Sequence, residues 1–358
     1  MATPRKRIAY FDAWTDPVSA EILDSRTDID TVRLAVDAPP DTNWPEIGRA
    51  HGYQCLIRTE AARHPEVGEQ YFANAALLAR APNLLAVCSA GAGYDVIDVD
   101  ACTATGVIVC NNSGPGAEAV AEHALGFMLS LTKRIALADR MMRRTAVVER
   151  AALRGSELQG KTLGVVGLGA IGSLLIELCA PFHLTVLAYD PHVTDAQAGE
   201  RGAARVELDE LLARSDFVVL CCPLTHETEG LIGPKEFAQM KPSAFFVTTA
   251  RGRVHDEGAL VEALTAGRMA GAGIDVFHEE PTPADHPLLA LDTVIASPHT
   301  AGITVEAARD IAVATAEQWM TIFDGRVPPR LLNPEAWPRY SERFETLLGA
   351  RPDGLESM

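Results

Sequence analysis

The stretch that decides the fold of this chain runs from Leu163 to Asp190 and reads LGVVGLGAIGSLLIELCAPFHLTVLAYD. It begins with an apolar run typical of a buried β-strand, passes through the turn GLGAIG at 167–172, and continues with the apolar spacing of a helix. A second apolar run, Leu184 to Tyr189, ends on Asp190. This order of strand, glycine-rich turn, helix, strand and acid is that of a dinucleotide-binding βαβ unit.

The glycines and the acid each have a predicted task. Gly167 permits the tight turn, Gly169 lets the backbone approach a pyrophosphate, and Gly172 lets helix and strand pack closely. The N–H groups at the helix N-terminus would face the phosphates. Asp190 follows Gly172 by 18 residues, near the roughly 20 expected for a carboxylate that binds the ribose hydroxyls. Because this carboxylate would repel a 2′-phosphate, the sequence predicts NAD as the cofactor.

Length and charge narrow the class of protein. A chain of 358 residues is long enough for two domains, and 47% apolar with 22% charged residues is typical of a globular protein. The net charge of −17 argues against nucleic acid or an anionic membrane as a partner, because either would be repelled. An anionic substrate would need local positive groups.

Neither a membrane span nor a signal peptide is recognisable, so we expect a cytoplasmic protein. The seven cysteines lie mostly in or beside apolar runs and show no C-x-x-C pairing. This usage favours reduced, buried thiols over disulfides or a zinc site, and no metal is expected.

Residues 1–112 predict a first α/β unit, with strands at Ile8–Phe11, Val32–Val36, Cys55–Ile57, Leu84–Cys88 and Val107–Cys110. The fourth strand leads into SAGAGYD at 89–95, which is either a tight turn or a nest of N–H groups for a substrate carboxylate. Residues 116–144 predict one long helix, buried on two sides or at a subunit contact.

A doubly wound parallel sheet is predicted over 113–298, and residues 299–358 are expected to return to the first domain and form the tail. Further strands are expected at Phe217–Cys222, Ala244–Thr249, Ala272–Val276 and Val294–Ser297. Ligands bind at the carboxyl ends of such strands, which here carry Arg251, Glu280 and His299. A histidine can deliver a proton to a carbonyl oxygen, a carboxylate can orient its ring, and an arginine can clamp a carboxylate with two hydrogen bonds. Together they indicate a 2-keto or 2-hydroxy acid site, although each alone has a purely structural alternative.

Several blocks resemble those of the D-isomer-specific 2-hydroxyacid dehydrogenases, in that family's order, over roughly residues 55 to 320. They are GLGAIG with Asp190, CCPLTHETEGLI, TTARGRVHDEGALVEALTAGRMAGAGIDVFHEEP and SPHTAG, with SAGAGYDVID and GAEAVAEHALGFML before them. The resemblance implies a Rossmann-type domain inserted into a flavodoxin-like split substrate domain, and a homodimer formed around the cofactor domains. The activity it implies is NAD-dependent hydride transfer between a D-2-hydroxy acid and its 2-keto acid.

The same resemblance implies individual roles. Arg251 would clamp the substrate carboxylate, His299 would be the acid/base and Glu280 its partner. Backbone at Ala90, Gly91 and Ala92 would bind substrate. The expected cofactor contacts are Gly167, Gly169, Ala170, Ile171, Gly172, Asp190, Cys222, Pro223, Thr249, Ala250, Arg251, Asp275, His299 and Gly302.

The substrate stays open among 3-phosphoglycerate with its keto form phosphohydroxypyruvate, hydroxypyruvate and glyoxylate. Phosphoglycerate dehydrogenases tend to carry an arginine where this chain has Ser89, whereas Arg58 resembles part of their phosphate-binding region. No segment resembles the regulatory domain of the long phosphoglycerate enzymes. A formate dehydrogenase is disfavoured, because its histidine is paired with glutamine. An NAD(H)-sensing co-repressor that binds protein partners remains the alternative, because such proteins can keep all three residues.

Overall fold

The computed structural model describes residues 5–11, 14–55, 68–145 and 148–355. The chain divides into two compact units, the first made of Met1–Gly116 with Val305–Met358 and the second of Ala117–Thr304. The second unit is therefore an insertion within the polypeptide of the first. His299 lies inside the inserted unit, because this unit continues to Thr304.

The first unit is built on a five-stranded parallel sheet in the order β2-β1-β3-β4-β5. This is the flavodoxin-like order, in which β2 lies on one side of β1 and the later strands are added on the other side. The strands are β1 Lys6–Phe11, β2 Ile29–Leu34, β3 Gly52–Gln54, β4 Ala86–Cys88 and β5 Ile108–Cys110. The helices are Val18–Asp24, Pro40–Arg49, Ala75–Arg80, Val99–Thr105, Val305–Phe323 and Trp337–Leu348, with 3-10 turns at Gly68–Tyr71 and Pro334–Ala336.

The end of the chain belongs to the core of this first unit. Trp319, Phe323 and Tyr340 from the last two helices form one buried cluster with Ile8 of β1 and Leu85. The tail is therefore an ordered part of the fold as far as it is described.

The third strand was predicted at Cys55–Ile57, of which Leu56 and Ile57 lie outside the described residues; Cys55 is not part of a strand, and the described strand lies at Gly52–Gln54. Its sequence, GYQ, does not read as an apolar run, yet all three residues are buried. Gln54 is accommodated because its Oε1 accepts a hydrogen bond from Trp319 Nε1 at 3.0 Å. Gly52 leaves room for the same indole, since a Cβ there would lie 2.5 Å from the ring.

The second unit contains a seven-stranded parallel sheet in the order β12-β11-β10-β9-β6-β7-β8, which confirms the predicted doubly wound fold. The strands are β6 Thr162–Val166, β7 Thr185–Tyr189, β8 Ala204–Arg205, β9 Phe217–Leu220, β10 Phe245–Thr248, β11 Gly271–Ile274 and β12 Val294–Ala296. The helices are Ala117–Thr132, Ile135–Arg144, Ala170–Cys179, Asp195–Glu200, Leu208–Arg214, Pro234–Gln239 and Glu257–Thr265. The 3-10 turns are Arg150–Leu153, Ala180–Phe182, Gly252–Val254 and Pro287–Ala290.

The single long helix predicted over 116–144 is in fact two helices, which separate at Arg134. This residue has a left-handed backbone with φ of 54°. The carbonyl of Thr132 accepts the Ser156 N–H at 3.0 Å instead of continuing the helical ladder. The break thus comes from a contact with a distant segment, which helical periodicity does not reveal. Nowhere in the described part of the chain does a helix combine the length and apolarity needed to cross a membrane.

Candidate active site

The glycine-rich turn lies between β6 and the helix Ala170–Cys179, as expected of a βαβ unit. Gly167 has a φ of 95°, and a Cβ there would lie 2.6 Å from the Cys222 nitrogen. A Cβ at Gly172 would lie 2.2 Å from the Gly167 carbonyl oxygen. A Cβ at Gly169, by contrast, would meet nothing within 4 Å. Two glycines are therefore required by packing, whereas Gly169 keeps the space beside the helix N-terminus open.

Asp190 directly follows β7 and is fixed beside this turn. Its Oδ2 accepts the Leu168 N–H at 2.8 Å and its Oδ1 accepts the His192 N–H at 2.9 Å. Two arginines hold the surrounding backbone: Arg201 donates to the Leu168 carbonyl, and Arg205 Nε donates to the Asp190 carbonyl at 3.2 Å. The carboxylate that is predicted to bind the ribose thus has a defined orientation.

Two further strand ends border this region. Cys222 is buried against Gly167, whereas Pro223 is exposed. Thr249 is 7% exposed, and its Oγ1 has no hydrogen-bond partner among the described residues. A buried hydroxyl without a partner is unfavourable unless a ligand or water satisfies it. Thr249 therefore fits a site that a polar group of a ligand completes.

Asp275, which follows β11, anchors the turn that carries His299. Its carbonyl oxygen accepts the His299 N–H at 2.7 Å. Its carboxylate accepts the Thr300 N–H at 2.8 Å, the Ala301 N–H at 3.0 Å and the Ser297 hydroxyl at 2.6 Å. His299 itself has a φ of 54°, which a non-glycine residue adopts only when its surroundings enforce it. Asp275 supplies that enforcement, a role that sequence reasoning missed. Gly302, a predicted cofactor contact, follows Ala301 directly at the end of this turn.

Glu280 and His299 form a direct pair. His299 Nδ1 lies 2.8 Å from Glu280 Oε2, and the Phe277 N–H donates to Glu280 Oε1 at 3.0 Å. Burial alone would raise the pKa of Glu280. The hydrogen bond and charge of His299, the Phe277 N–H and the charge of Arg251 outweigh burial and lower the pKa of this carboxyl below its ordinary value. Glu280 therefore stays ionised and accepts the Nδ1 proton.

Arg251 lies at the end of β10, next to the 3-10 turn Gly252–Val254, and is partly exposed. Its Nη1 donates to the carbonyl of Ala250 at 2.8 Å. Its charge acts on the Glu280 carboxyl, so it lies within electrostatic range of the pair. The second unit thus brings together the three residues that the sequence assigned to chemistry.

The turn at Ala90–Ala92, in the first unit, has its carbonyls held from one side. Asn112 Nδ2 donates to the Ser89 and Ala90 carbonyls at 3.2 and 3.3 Å, and the Asn112 N–H donates to Gly91 at 2.9 Å. Asn111 Nδ2 donates to Ala92 at 2.9 Å. The N–H groups of Ala90, Gly91 and Ala92 donate to no acceptor within the described residues.

This geometry is compatible with both the anion nest and the tight turn, so the two interpretations stay open. Sequence reasoning missed Asn111 and Asn112, whose signal was their place directly after the buried strand β5. Arg58, the predicted phosphate contact, lies outside the described residues. No cluster of His, Cys, Asp and Glu that could hold a metal ion occurs in the described ranges.

Comparison with known proteins gives the second unit a family. Residues 125–301 match the model described as D-isomer specific 2-hydroxyacid dehydrogenase, NAD binding domain. The chain is 40% identical over 305 residues to a D-3-phosphoglycerate dehydrogenase of Archaeoglobus fulgidus, which covers 82% of this chain and 58% of that protein. It is 38% identical over 267 residues to a glyoxylate reductase of Thermofilum pendens, covering 73% of this chain and 78% of that protein.

A solved structure shares the fold. D-lactate dehydrogenase from Aquifex aeolicus, crystallised with NAD and lactic acid, superimposes with a TM-score of 0.77 at 25% identity, over 91% of this chain and 98% of that one. The chain spans little more than half the length of the phosphoglycerate dehydrogenase, at 58%, but most of the glyoxylate reductase, at 78%. These matches confirm the predicted fold and NAD as the cofactor. The chain belongs to the D-isomer specific 2-hydroxyacid dehydrogenase family, and its second unit is the NAD-binding domain of that family.

Proposed function

We propose that this chain is an NAD-dependent dehydrogenase that interconverts a D-2-hydroxy acid and the corresponding 2-keto acid. The observation that carries the proposal is the 2.8 Å contact between His299 Nδ1 and Glu280 Oε2, at the strand ends of an NAD-binding sheet. Arg251 acts electrostatically on the same carboxyl. An acid/base, its partner and a cation for an acidic substrate are thus combined in one unit.

The residues present fit NAD. The open space at Gly169 would admit the pyrophosphate beside Ala170 and Ile171, and Asp190 would bind the ribose. A polar group of the ligand would satisfy the Thr249 hydroxyl, which has no partner among the described residues. When bound, the nicotinamide supplies the hydride for reduction and accepts it in oxidation.

His299 moves the proton. Its Nδ1–H donates a hydrogen bond to Glu280, so Nε2 is the ring nitrogen that remains for the substrate. In reduction, Nε2–H donates its proton to the substrate carbonyl oxygen, and in oxidation the same nitrogen takes the hydroxyl proton. Glu280 stabilises the imidazolium that carries this proton, because it stays ionised across the neutral range.

Arg251 and the nest at Ala90–Ala92 would recognise the acid. A guanidinium binds a carboxylate through two parallel hydrogen bonds, and successive N–H groups hold an anionic oxygen. We propose a small 2-keto acid as the substrate, with phosphohydroxypyruvate, hydroxypyruvate and glyoxylate as its candidates. The names of two relatives, D-3-phosphoglycerate dehydrogenase and glyoxylate reductase, support this range.

The proposal is tested by following NADH absorbance with a panel of phosphorylated and unphosphorylated 2-keto acids. We expect turnover with at least one acid, and His299→Ala should lower kcat by roughly 10²- to 10⁴-fold while NADH still binds. If the intact protein binds NADH but turns over none of these acids, the proposed dehydrogenase activity is refuted and a co-repressor-like sensor is favoured.

We further propose a homodimer. The helix Ile135–Arg144 has no buried residue, and Ile135 and Met142 are 57% and 73% exposed. Such an amphipathic helix is expected to cover its apolar face with a partner. Light scattering should give the mass of two chains, and Met142→Glu should shift the protein toward one. A cytoplasmic location, which we also propose, suits a chain whose seven cysteines are free thiols.

A further inference from the structure

Two loops that carry the proposed active residues touch each other directly. The arginine loop, residues 251–256, follows β10, and the glutamate loop, residues 277–281, follows β11. A Cβ on Gly252 would lie 2.1 Å from the Phe277 carbonyl oxygen and 2.6 Å from the His278 nitrogen. The backbones of the two loops are therefore packed as closely as a glycine allows.

Side chains join the same two loops. Glu257 Oε1 accepts the His278 N–H at 2.8 Å, and His278 Nε2 donates to the His255 carbonyl at 2.7 Å. The remaining oxygen of Glu257 lies 3.4 Å from His286 Nε2, and the Glu257 side chain is only 13% exposed. Glu257 begins the helix Glu257–Thr265, so a rigid element supports it. One carboxylate thus links this helix to His278 and His286, which lie on either side of Glu280 in the chain.

We propose that Glu257 is a positioning residue for the reaction, acting through Glu280; this inference rests on the proposed function. Glu257 holds the N–H of His278, and the neighbouring N–H of Phe277 holds Glu280 Oε1 at 3.0 Å. Fixing these two successive peptide groups sets the direction from which Glu280 meets His299. The contact at Gly252 then carries the same constraint to Arg251.

Position 257 must provide a hydrogen-bond acceptor at the end of a side chain as long as that of glutamate. Glu257→Gln keeps that reach and offers one oxygen to the His278 N–H. Glu257→Asp keeps the charge, and an acid is also favourable in the first turn of a helix, but it withdraws the carboxylate by one methylene. If positioning operates through this hydrogen bond, glutamine is the better replacement. If only charge or helix stability matters, aspartate is better.

The experiment compares kcat, KM and the pH profile of keto-acid reduction in the intact protein and the two variants. We expect Glu257→Asp to lower kcat about tenfold or more, since a small displacement of a catalytic group has a large effect. The high-pH midpoint of kcat/KM should fall, because a loosened Glu280 supports the imidazolium less well. Glu257→Gln should retain most of kcat, and KM for NADH should stay unchanged in both.

Glu262 provides the matched control, because it lies on the same helix with its side chain 78% exposed and, among the described residues, reaches only Arg268, at 4.0 Å. Glu262→Asp should match the intact protein throughout. The inference would be overturned if Glu257→Asp had the kcat and the pH midpoint of the intact protein. It would also be overturned if Glu257→Asp had a higher kcat than Glu257→Gln.

If the intact protein turns over no acid, the proposed function has failed. Amide hydrogen exchange then still tests whether Glu257 holds the glutamate loop. Peptides that cover residues 277–281 should exchange faster in Glu257→Asp than in Glu257→Gln. Equal rates in the two variants would mean that Glu257 does not hold the glutamate loop.

Discussion

His255 provides a sharp test of how burial controls charge in the second unit. Its side chain is 1% exposed, and neither ring nitrogen has a hydrogen-bond partner among the described residues. The ring packs against Phe246 and lies 5.9 Å from the ring of His278. Burial and then the charge of His278 lower the pKa of His255 to about 3, against the opposing effect of Asp256.

The sign of the pH dependence follows from this lowered pKa. The folded protein keeps His255 neutral, whereas the unfolded chain protonates it below its ordinary pKa of about 6.5. His255 therefore stabilises the fold fully above that value, and the contribution is lost as the pH falls from 6.5 toward 3. Between pH 7.5 and pH 5 the loss amounts to about 2 kcal/mol. This figure hardly changes if the folded pKa is one unit higher, because at pH 5 the ring would still be almost wholly neutral.

His255→Leu removes the titrating group and breaks no hydrogen bond to a described residue. We expect the free energy of unfolding of the variant to fall less than that of the intact protein between pH 7.5 and pH 5, by about 2 kcal/mol. Urea unfolding followed by circular dichroism measures it. All four tryptophans lie in the first unit, so fluorescence identifies the transition of that unit separately.

The matched control is His192→Gln, because the His192 side chain is 75% exposed and faces Glu227 at 3.4 Å. An exposed histidine should alter the pH dependence by no more than about 0.5 kcal/mol. Every other titrating group is common to the proteins, so its contribution cancels in the comparison. If His255→Leu and the intact protein lose the same free energy between the two pH values, His255 is not kept neutral by burial and the reasoning fails.

Three further substitutions test the cofactor site, the substrate clamp and the core. Asp190→Ala should reduce the preference for NAD over NADP by at least about tenfold, because it removes the carboxylate fixed by the Leu168 N–H; the ratio of kcat/KM for the two cofactors measures this, and an unchanged ratio would mean that the ribose lies elsewhere. Arg251→Lys should lower kcat/KM for the keto acid by about 10²-fold or more, since an ammonium cannot form two parallel hydrogen bonds with a carboxylate; near-normal kinetics would remove it from the clamp. Gly52→Ala should destabilise the first unit by about 1–3 kcal/mol in urea, because its Cβ would lie 2.5 Å from the Trp319 ring; unaltered stability would show that the indole yields freely.

The sequence by itself determined the cofactor unit. The spacing from Gly167 to Asp190 encodes strand, turn, helix and acid within one short segment, and two of its defining contacts, Leu168 N–H to Asp190 and Gly172 against Gly167, lie within that segment. Burial of parallel strands also leaves continuous apolar runs, so most strands were recognisable, and the residues directly after them followed as site candidates. Arg251, Glu280 and His299 were predicted in this way, and in the structure His299 and Glu280 lie in contact.

Tertiary structure alone decided features that depend on distant partners. The strand at Gly52–Gln54 is buried because Trp319 packs on it and donates a hydrogen bond to Gln54. The helix ends at Thr132 because the Ser156 N–H donates to the Thr132 carbonyl. Similarly, the carboxylate of Asp275 holds the turn of His299, and Glu257 holds the glutamate loop through the His278 N–H. A hydrogen bond between segments leaves no periodic trace in either one, because only the folded chain brings the donor to its acceptor. The sequence therefore indicated the groups that we propose for the chemistry, while the fold decided which groups hold them in place.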